Sequence, residues 1–401
     1  VETHQITSTI LQIVLILSFA KVLGEVAERL GQPSVLGELV AGVLLGASVL
    51  GWIKTSDSIT LLAELGVILL LFEIGLESDI GDFLKVGACA TAVAVTGVAG
   101  PFAAGYGICL LLGLNHTVSI FVGATLTATS IGITARTLKD LGASRSREAQ
   151  IIIGAAVADD IIGLVILAII TGIAQGTGMT LWPAVRTSLL AVILLAGAIL
   201  ASIPIAPYVL KIVNRLRTRG MLTVSAFGFC LLMAYFADRL HLATIVGAFA
   251  AGLVLARTED QARIQVRIKP LADIFVPIFF VSLGLTVDIS ALNPLNPAAR
   301  STIVFVALIA TVAVLFKILS GYVIPRMPVS RAVIGIGMVP RGEVGLIFAS
   351  IGLSRGIITQ DLYAALLAVI FITTFITPPL LKAAISKKMQ TSVHQHVPSS
   401  T

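Results

Sequence analysis

Charge is what this chain has least of. Only 12% of its 401 residues are charged, about half of the roughly 25% common in soluble domains. That shortage excludes an ordinary water-facing surface. Cysteine is scarce as well. Cys89, Cys109 and Cys230 all fall in apolar runs without metal-ligand spacing, so they read as small core residues. His394 and His396 near the C-terminus are too few to argue for a metal. There is no lone N-terminal signal peptide, because the first apolar run, from about Ile6, is itself long enough to be a span. The net charge of +6 does not point to nucleic acid, since the basic residues sit in short loops between apolar runs.

What is present is hydrocarbon. Hydrophobic residues make up 57% of the chain, and the mean hydropathy is +1.03. Thirteen apolar segments run roughly over 6–28, 35–52, 58–77, 83–113, 117–139, 148–174, 182–213, 221–238, 241–257, 268–287, 299–325, 331–354 and 361–385. Each predicts a helix, because an isolated strand cannot satisfy its backbone in lipid. The expectation is an all-α integral membrane protein of about thirteen spans whose first partner is the lipid bilayer. With the N-terminus outside, twenty of the 27 Lys and Arg fall on the inner side and five on the outer, with Lys317 and Arg341 inside spans. That bias places the C-terminus in the cytoplasm. The polar tail 389–401 reads as disordered.

Against this background Asp159 and Asp160 stand out. They lie in AAVADDIIGLVILAII, where one ionised carboxylate costs at least roughly 2.5–3.5 kcal/mol at the bilayer centre. Such a pair must face protein or water, and its default role is to handle a cation or a proton. Neighbours on a helix point about 100° apart, so one can pair with a cation of the protein while the other faces a passage. Lys317, far from both ends of its own apolar run, is the cation at hand.

Two spans read as broken. The fifth has a polar centre at Thr127-Ala128-Thr129-Ser130, and the twelfth carries Gly335, Gly337, Pro340 and Gly342 around its midpoint. Interrupted spans in corresponding places of two halves point to a transport site made by inverted repeats, since unwound backbone at that depth must line a cavity. Arg341 and Glu343, beside the second break, read as a supporting pair that neutralises itself and ties up freed backbone. Glu38, Glu64, Glu73 and Asp273, also in or near spans, are expected to pair locally or border water.

With these motifs assembled, the chain resembles the monovalent cation:proton antiporter-2 family, the bacterial NapA and Kef group of sodium/proton exchangers. The resemblance rests on GQPSVLGELVAGVLLG from Gly31, LAELGVILLLFEIGLE from Leu62, the TATS break, GAAVADDIIGL from Gly154, VGAFAAGLVLA from Val246, PLADIFVPIFFVSLGLTVD from Pro270 and GMVPRGEVGLIFAS from Gly337. It implies the NhaA-like fold with two crossed broken helices, a core domain (about 83–174 and 299–385), scaffold and dimerisation helices (about 6–77 and 182–287), a homodimer and an elevator-like movement. It implies that Asp160 binds sodium or a proton, that Asp159 partners Lys317, that Thr129 lies beside the site with Thr127 and Ser130, and that Glu343 supports the core. Kef-type members usually end in a nucleotide-binding regulatory domain, which this sequence lacks.

The expected activity is antiport of a monovalent cation, sodium before potassium, against protons, with no enzymatic step and no cofactor. A cation channel or a sodium-coupled solute symporter are the alternatives. An intramembrane aspartyl protease fits poorly, because its two carboxylates converge from different helices. The expected membrane is a bacterial inner membrane, with a thylakoid or chloroplast membrane as the other setting.

Overall fold

The structure, a computed structural model, describes residues 2–47, 49–77, 80–174, 220–240, 244–286, 299–324 and 327–395, with isolated positions between 189 and 208. Every regular element among them is helical. Most of the seventh apolar segment lies outside the described residues.

In chain order the helices are α1 (Glu2–Arg29), α2 (Ser34–Leu45), α3 (Asp57–Glu77), α4 (Ile80–Leu111), α5 (His116–Thr125), α6 (Ile131–Asp140), α7 (Arg147–Ala174), α8 (Met221–Arg239), α9 (Thr244–Ala256), α10 (Gln261–Leu285), α11 (Ala299–Ser320), α12 (Arg331–Gly337), α13 (Glu343–Ser354) and α14 (Gln360–Gln395). Among the described residues seven helices are long and apolar enough to cross a membrane: α1, α3, α4, α8, α10, α11 and α14.

Two expectations need correction. The second segment is helical only over Ser34–Leu45, twelve residues, or about 18 Å of rise against a hydrocarbon core of about 30 Å. It stops because Gly46 and Gly51 turn the chain. The Gly51 amide donates to the Gly46 carbonyl at 2.8 Å, with Gly51 at φ +63, a conformation glycine adopts without steric cost. Of the ninth segment the described residues are helical over Thr244–Ala256, and its expected start at 241 lies outside them. At the other end α14 continues to Gln395, past the point where disorder is expected, because Lys387, Lys388, Met389 and Gln390 are all good helix formers. Residues 396–401 lie outside the described set.

The chain divides into two compact units. The first comprises Val1–Glu25, Gly37–Val86 and Asp160–Ser290. Within it α3 packs against α9 and α10, and α9 against α8. Close approach depends on glycine: a methyl group at Gly75 would strike the Phe249 carbonyl, and one at Gly252 the Phe72 carbonyl. Ile16, Ala41, Leu45, Ile59, Ile278 and Val281 form an apolar core of this unit. Without a hydrophobic drive between helices in lipid, such small-residue contacts and van der Waals packing carry the association.

The second unit comprises Val26–Leu36, Gly87–Asp159 and Ala291–Thr401. It contains both interrupted spans. The fifth segment is α5 and α6, separated by Leu126–Ser130; the twelfth is α12 and α13, separated by Met338–Gly342. Within this unit α13 packs on α5, α14 packs on α6, and α11 packs on α12 and α14.

Candidate functional site

The two breaks meet. The Ser130 amide donates to the Pro340 carbonyl at 2.8 Å, and the Thr134 hydroxyl donates to the Gly337 carbonyl at 2.6 Å. A break frees amides at the start of one half-helix and carbonyls at the end of the other, and here each break supplies partners for the other. The approach is tight, since a methyl group at Gly342 would come within 2.7 Å of Ser130 Cβ. The half-helices therefore bring opposite dipole ends together in an apolar interior, a setting that attracts ions of both signs.

Beside the breaks stands a buried triangle. The Lys317 ammonium donates to Asp159 Oδ2 at 2.8 Å and to the Thr129 hydroxyl oxygen at 2.7 Å. The Thr129 hydroxyl donates in turn to Asp159 Oδ2 at 2.6 Å. Both side chains of the ion pair are essentially inaccessible, 0% and 1% exposed, so the charges are removed from water and depend on each other. Space for the ammonium comes from α4, where a methyl group at Gly97 would lie 3.4 Å from Lys317 Nζ. Asp159 Oδ1 is also buried and has no hydrogen-bond partner among the described residues.

Arg341 is fully buried. Its guanidinium donates to the Ala128 carbonyl at 3.0 Å and to the Ala313 carbonyl at 3.3 Å. It thereby joins the second break to the first and to α11, one turn before Lys317. Its own carbonyl accepts from the Thr374 hydroxyl of α14 at 2.9 Å. Arg341 is thus tied to backbone carbonyls, while the Glu343 side chain of the expected pair lies outside those described. Thr127 donates back to the Ala124 carbonyl at 2.8 Å, closing the end of α5. Ser130 Oγ is buried with no partner among the described residues. Asp160, the next residue on α7, is partly exposed.

Of the other acids, Glu64 accepts from the Thr244 hydroxyl at 2.8 Å, and Glu38 and Glu73 are buried in the first unit. Sequence reasoning passed over Thr374, Gly97, the Ala128 and Ala313 carbonyls, and Glu148. Only Glu148 carried a signal. It precedes Asp159 by eleven residues, which places both on one face of α7 to within about 20°.

The profile of the family described as "Sodium/hydrogen exchanger, transmembrane" matches residues 14–386. The chain belongs to the sodium/hydrogen exchanger family. It is 39% identical to the high-affinity Na(+)/H(+) antiporter NhaS3 of Synechocystis sp., over 94% of this chain and 90% of that protein. It is 37% identical to the Na(+)/H(+)-K(+) antiporter GerN of Bacillus cereus, over 94% and 96% of the two chains. The solved structure of the sodium proton antiporter MjNhaP1 from Methanocaldococcus jannaschii at pH 8 superposes with a TM-score of 0.67 at 18% identity, covering 94% of this chain and 99% of that one. At that identity the likeness concerns the fold. The family is one of transporters, and this exchanger-family chain is a multi-pass membrane protein.

Proposed function

We propose that this protein exchanges a monovalent cation, sodium before potassium, for protons, and that Asp159 and Asp160 are where the two compete. The observation that carries this reading is the buried Asp159 carboxylate: one oxygen shared by Lys317 and Thr129, the other buried without a partner. A carboxylate so placed has bonding capacity that a dehydrated cation or a proton can use. Ser130 Oγ adds a second unpartnered oxygen beside the breaks. Potassium remains the second reading because the name of GerN includes both cations.

Coupling follows from exclusion. A carboxylate that holds a proton cannot also coordinate sodium, so a carrier that moves only with its charge compensated runs one way with cation and back with protons. In this reading Asp160 is the ion and proton carboxylate, and Asp159 releases Lys317 when the cation enters. If more protons than cations cross per cycle, the membrane potential contributes about 2.3 kcal/mol per net charge per 100 mV. An elevator-like movement of a core carrying both breaks belongs to the same proposal. A homodimer, an outside N-terminus with a cytoplasmic C-terminus, a bacterial inner membrane and placement in the antiporter-2 branch complete the proposal. The last draws on the adjacent aspartates and the buried lysine.

The deciding assay is a pH jump in proteoliposomes, with sodium, lithium and potassium titrated separately. Sodium should release protons from the wild type, and Asp160→Asn should abolish that release while the protein still folds. Wild-type exchange by Asp160→Asn would sink the assignment. Cation flux without a counter-proton would make the protein a channel.

A further inference from the structure

At its first turn α7 carries a carboxylate outside the triangle. Glu148 is 2% exposed, and its Oε1 accepts two charge-assisted hydrogen bonds. One comes from the backbone amide of Ser330 at 2.7 Å and one from the Lys388 ammonium at 2.7 Å. Ser330 is the residue immediately before α12 and caps it with its own side chain, accepting from the Val333 amide. Glu148 therefore anchors the entry of the half-helix that leads into the Met338–Gly342 break.

The contact belongs to a longer seam. Successive residues on a helix turn by 100°, so Glu148, Ile152 and Asp159 share one stripe of α7, within about 40° of each other. Glu148 and Ile152 meet the second break or the approach to it, and Asp159 reaches it through Thr129. Glu148 holds Ser330. The Ile152 side chain occupies the space that a methyl group at Gly337 would need. Asp159 binds Thr129, whose hydroxyl oxygen is 3.4 Å from the Met338 carbonyl. Glu148 lies about 16 Å along α7 from Asp159. It is nonetheless the polar clamp at one end of the seam whose other end is the ion site.

We propose that Glu148 is a positioning residue for cation binding, fixing the register of α12 on α7 so that the broken backbone stands correctly beside Asp159. This rests on the antiport reading above. Lys388 contributes less, because its side chain is 41% exposed and water can replace the carboxylate around it. The essential element is the acceptor for the Ser330 amide, which a carboxamide oxygen can also supply.

The test measures sodium-dependent proton release in proteoliposomes for Glu148→Ala, Glu148→Asp and Glu148→Gln, with Asp160→Asn in the same series. Glu148→Ala and Glu148→Asp should raise the half-saturating sodium concentration on the order of threefold or more, with a smaller change in maximal rate, because the defect lies in the geometry of binding. Glu148→Gln should return it to within about twofold of wild type. If Glu148→Ala does not reach the membrane folded, the shortened but charged Glu148→Asp carries the same expectation. Wild-type half-saturation in Glu148→Asp, or a Glu148→Gln as impaired as Glu148→Ala, overturns the proposal. Activity in Asp160→Asn would instead overturn the site assignment on which it rests.

Discussion

Removing Lys317 tests the triangle most directly. In Lys317→Met the side-chain volume is nearly kept, but Asp159 loses the ammonium 2.8 Å away and keeps only the Thr129 hydroxyl. Breaking a fully buried pair from one side costs about 3–5 kcal/mol, because an uncompensated charge stays out of water. At about 2–4 °C per kcal/mol for a unit of a couple of hundred residues, the melting temperature in detergent should fall by roughly 6–20 °C. Replacing the second charge should recover much of it, so Lys317→Met with Asp159→Asn should melt well above the single variant. The coupling between the two substitutions should be on the order of 2–3 kcal/mol, at the upper end for residues in contact. Sodium supplies a cation to the orphaned carboxylate, so it should stabilise Lys317→Met more than wild type. The assay is a thermal-shift titration with sodium against choline. A single variant as stable as wild type, with additive substitutions, would refute the argument that the pair is held by mutual charge compensation.

Other consequences are equally specific. Thr129→Val keeps the shape and removes a hydroxyl bonded to both Lys317 and Asp159. A lost hydrogen bond to a charged group is worth about 1.5–3 kcal/mol, so the half-saturating sodium concentration should rise about tenfold or more in the proton-release assay. Arg341→Gln should lower melting by several degrees and leave little transport, because the shorter amide cannot reach both the Ala128 and the Ala313 carbonyls. Arg341→Lys should rescue it poorly, since an ammonium lacks the planar fork. Gly342→Ala should also fail, for its methyl group meets Ser130 at 2.7 Å. Finally, since protons and sodium compete, acidification should raise the sodium concentration needed for half-maximal exchange. Initial-rate titrations at several pH values check the sign, and a half-saturation constant independent of pH contradicts competition.

Much of this protein was legible along the chain. Hydropathy announces membrane helices because burying apolar side chains in lipid is additive and needs no knowledge of neighbours. Where a segment came out shorter, as at Gly46, a local turn decided. The breaks were legible for a similar reason: Thr127–Ser130 and Gly337–Gly342 cluster polar and helix-weakening residues at mid-span, where freed backbone must find partners inside the protein. Asp159, Asp160 and Lys317 stood out because each is costly in that environment. The partner of Arg341 was not legible, since Glu343 is two positions away while the carbonyls it holds belong to Ala128 and Ala313, and every residue has a carbonyl.

By itself, then, the sequence determined the membrane setting, the helical class, the two interruptions and the short set of charges that need explaining. All of these follow from free energies local to a segment. Tertiary structure alone decided which oxygens meet: the Thr129 hydroxyl between Lys317 and Asp159, residues 188 and 30 positions away, and Glu148 against Ser330, 182 positions away. Such contacts are a few ångströms long, and they exist only where crossing helices bring distant backbone to the same depth.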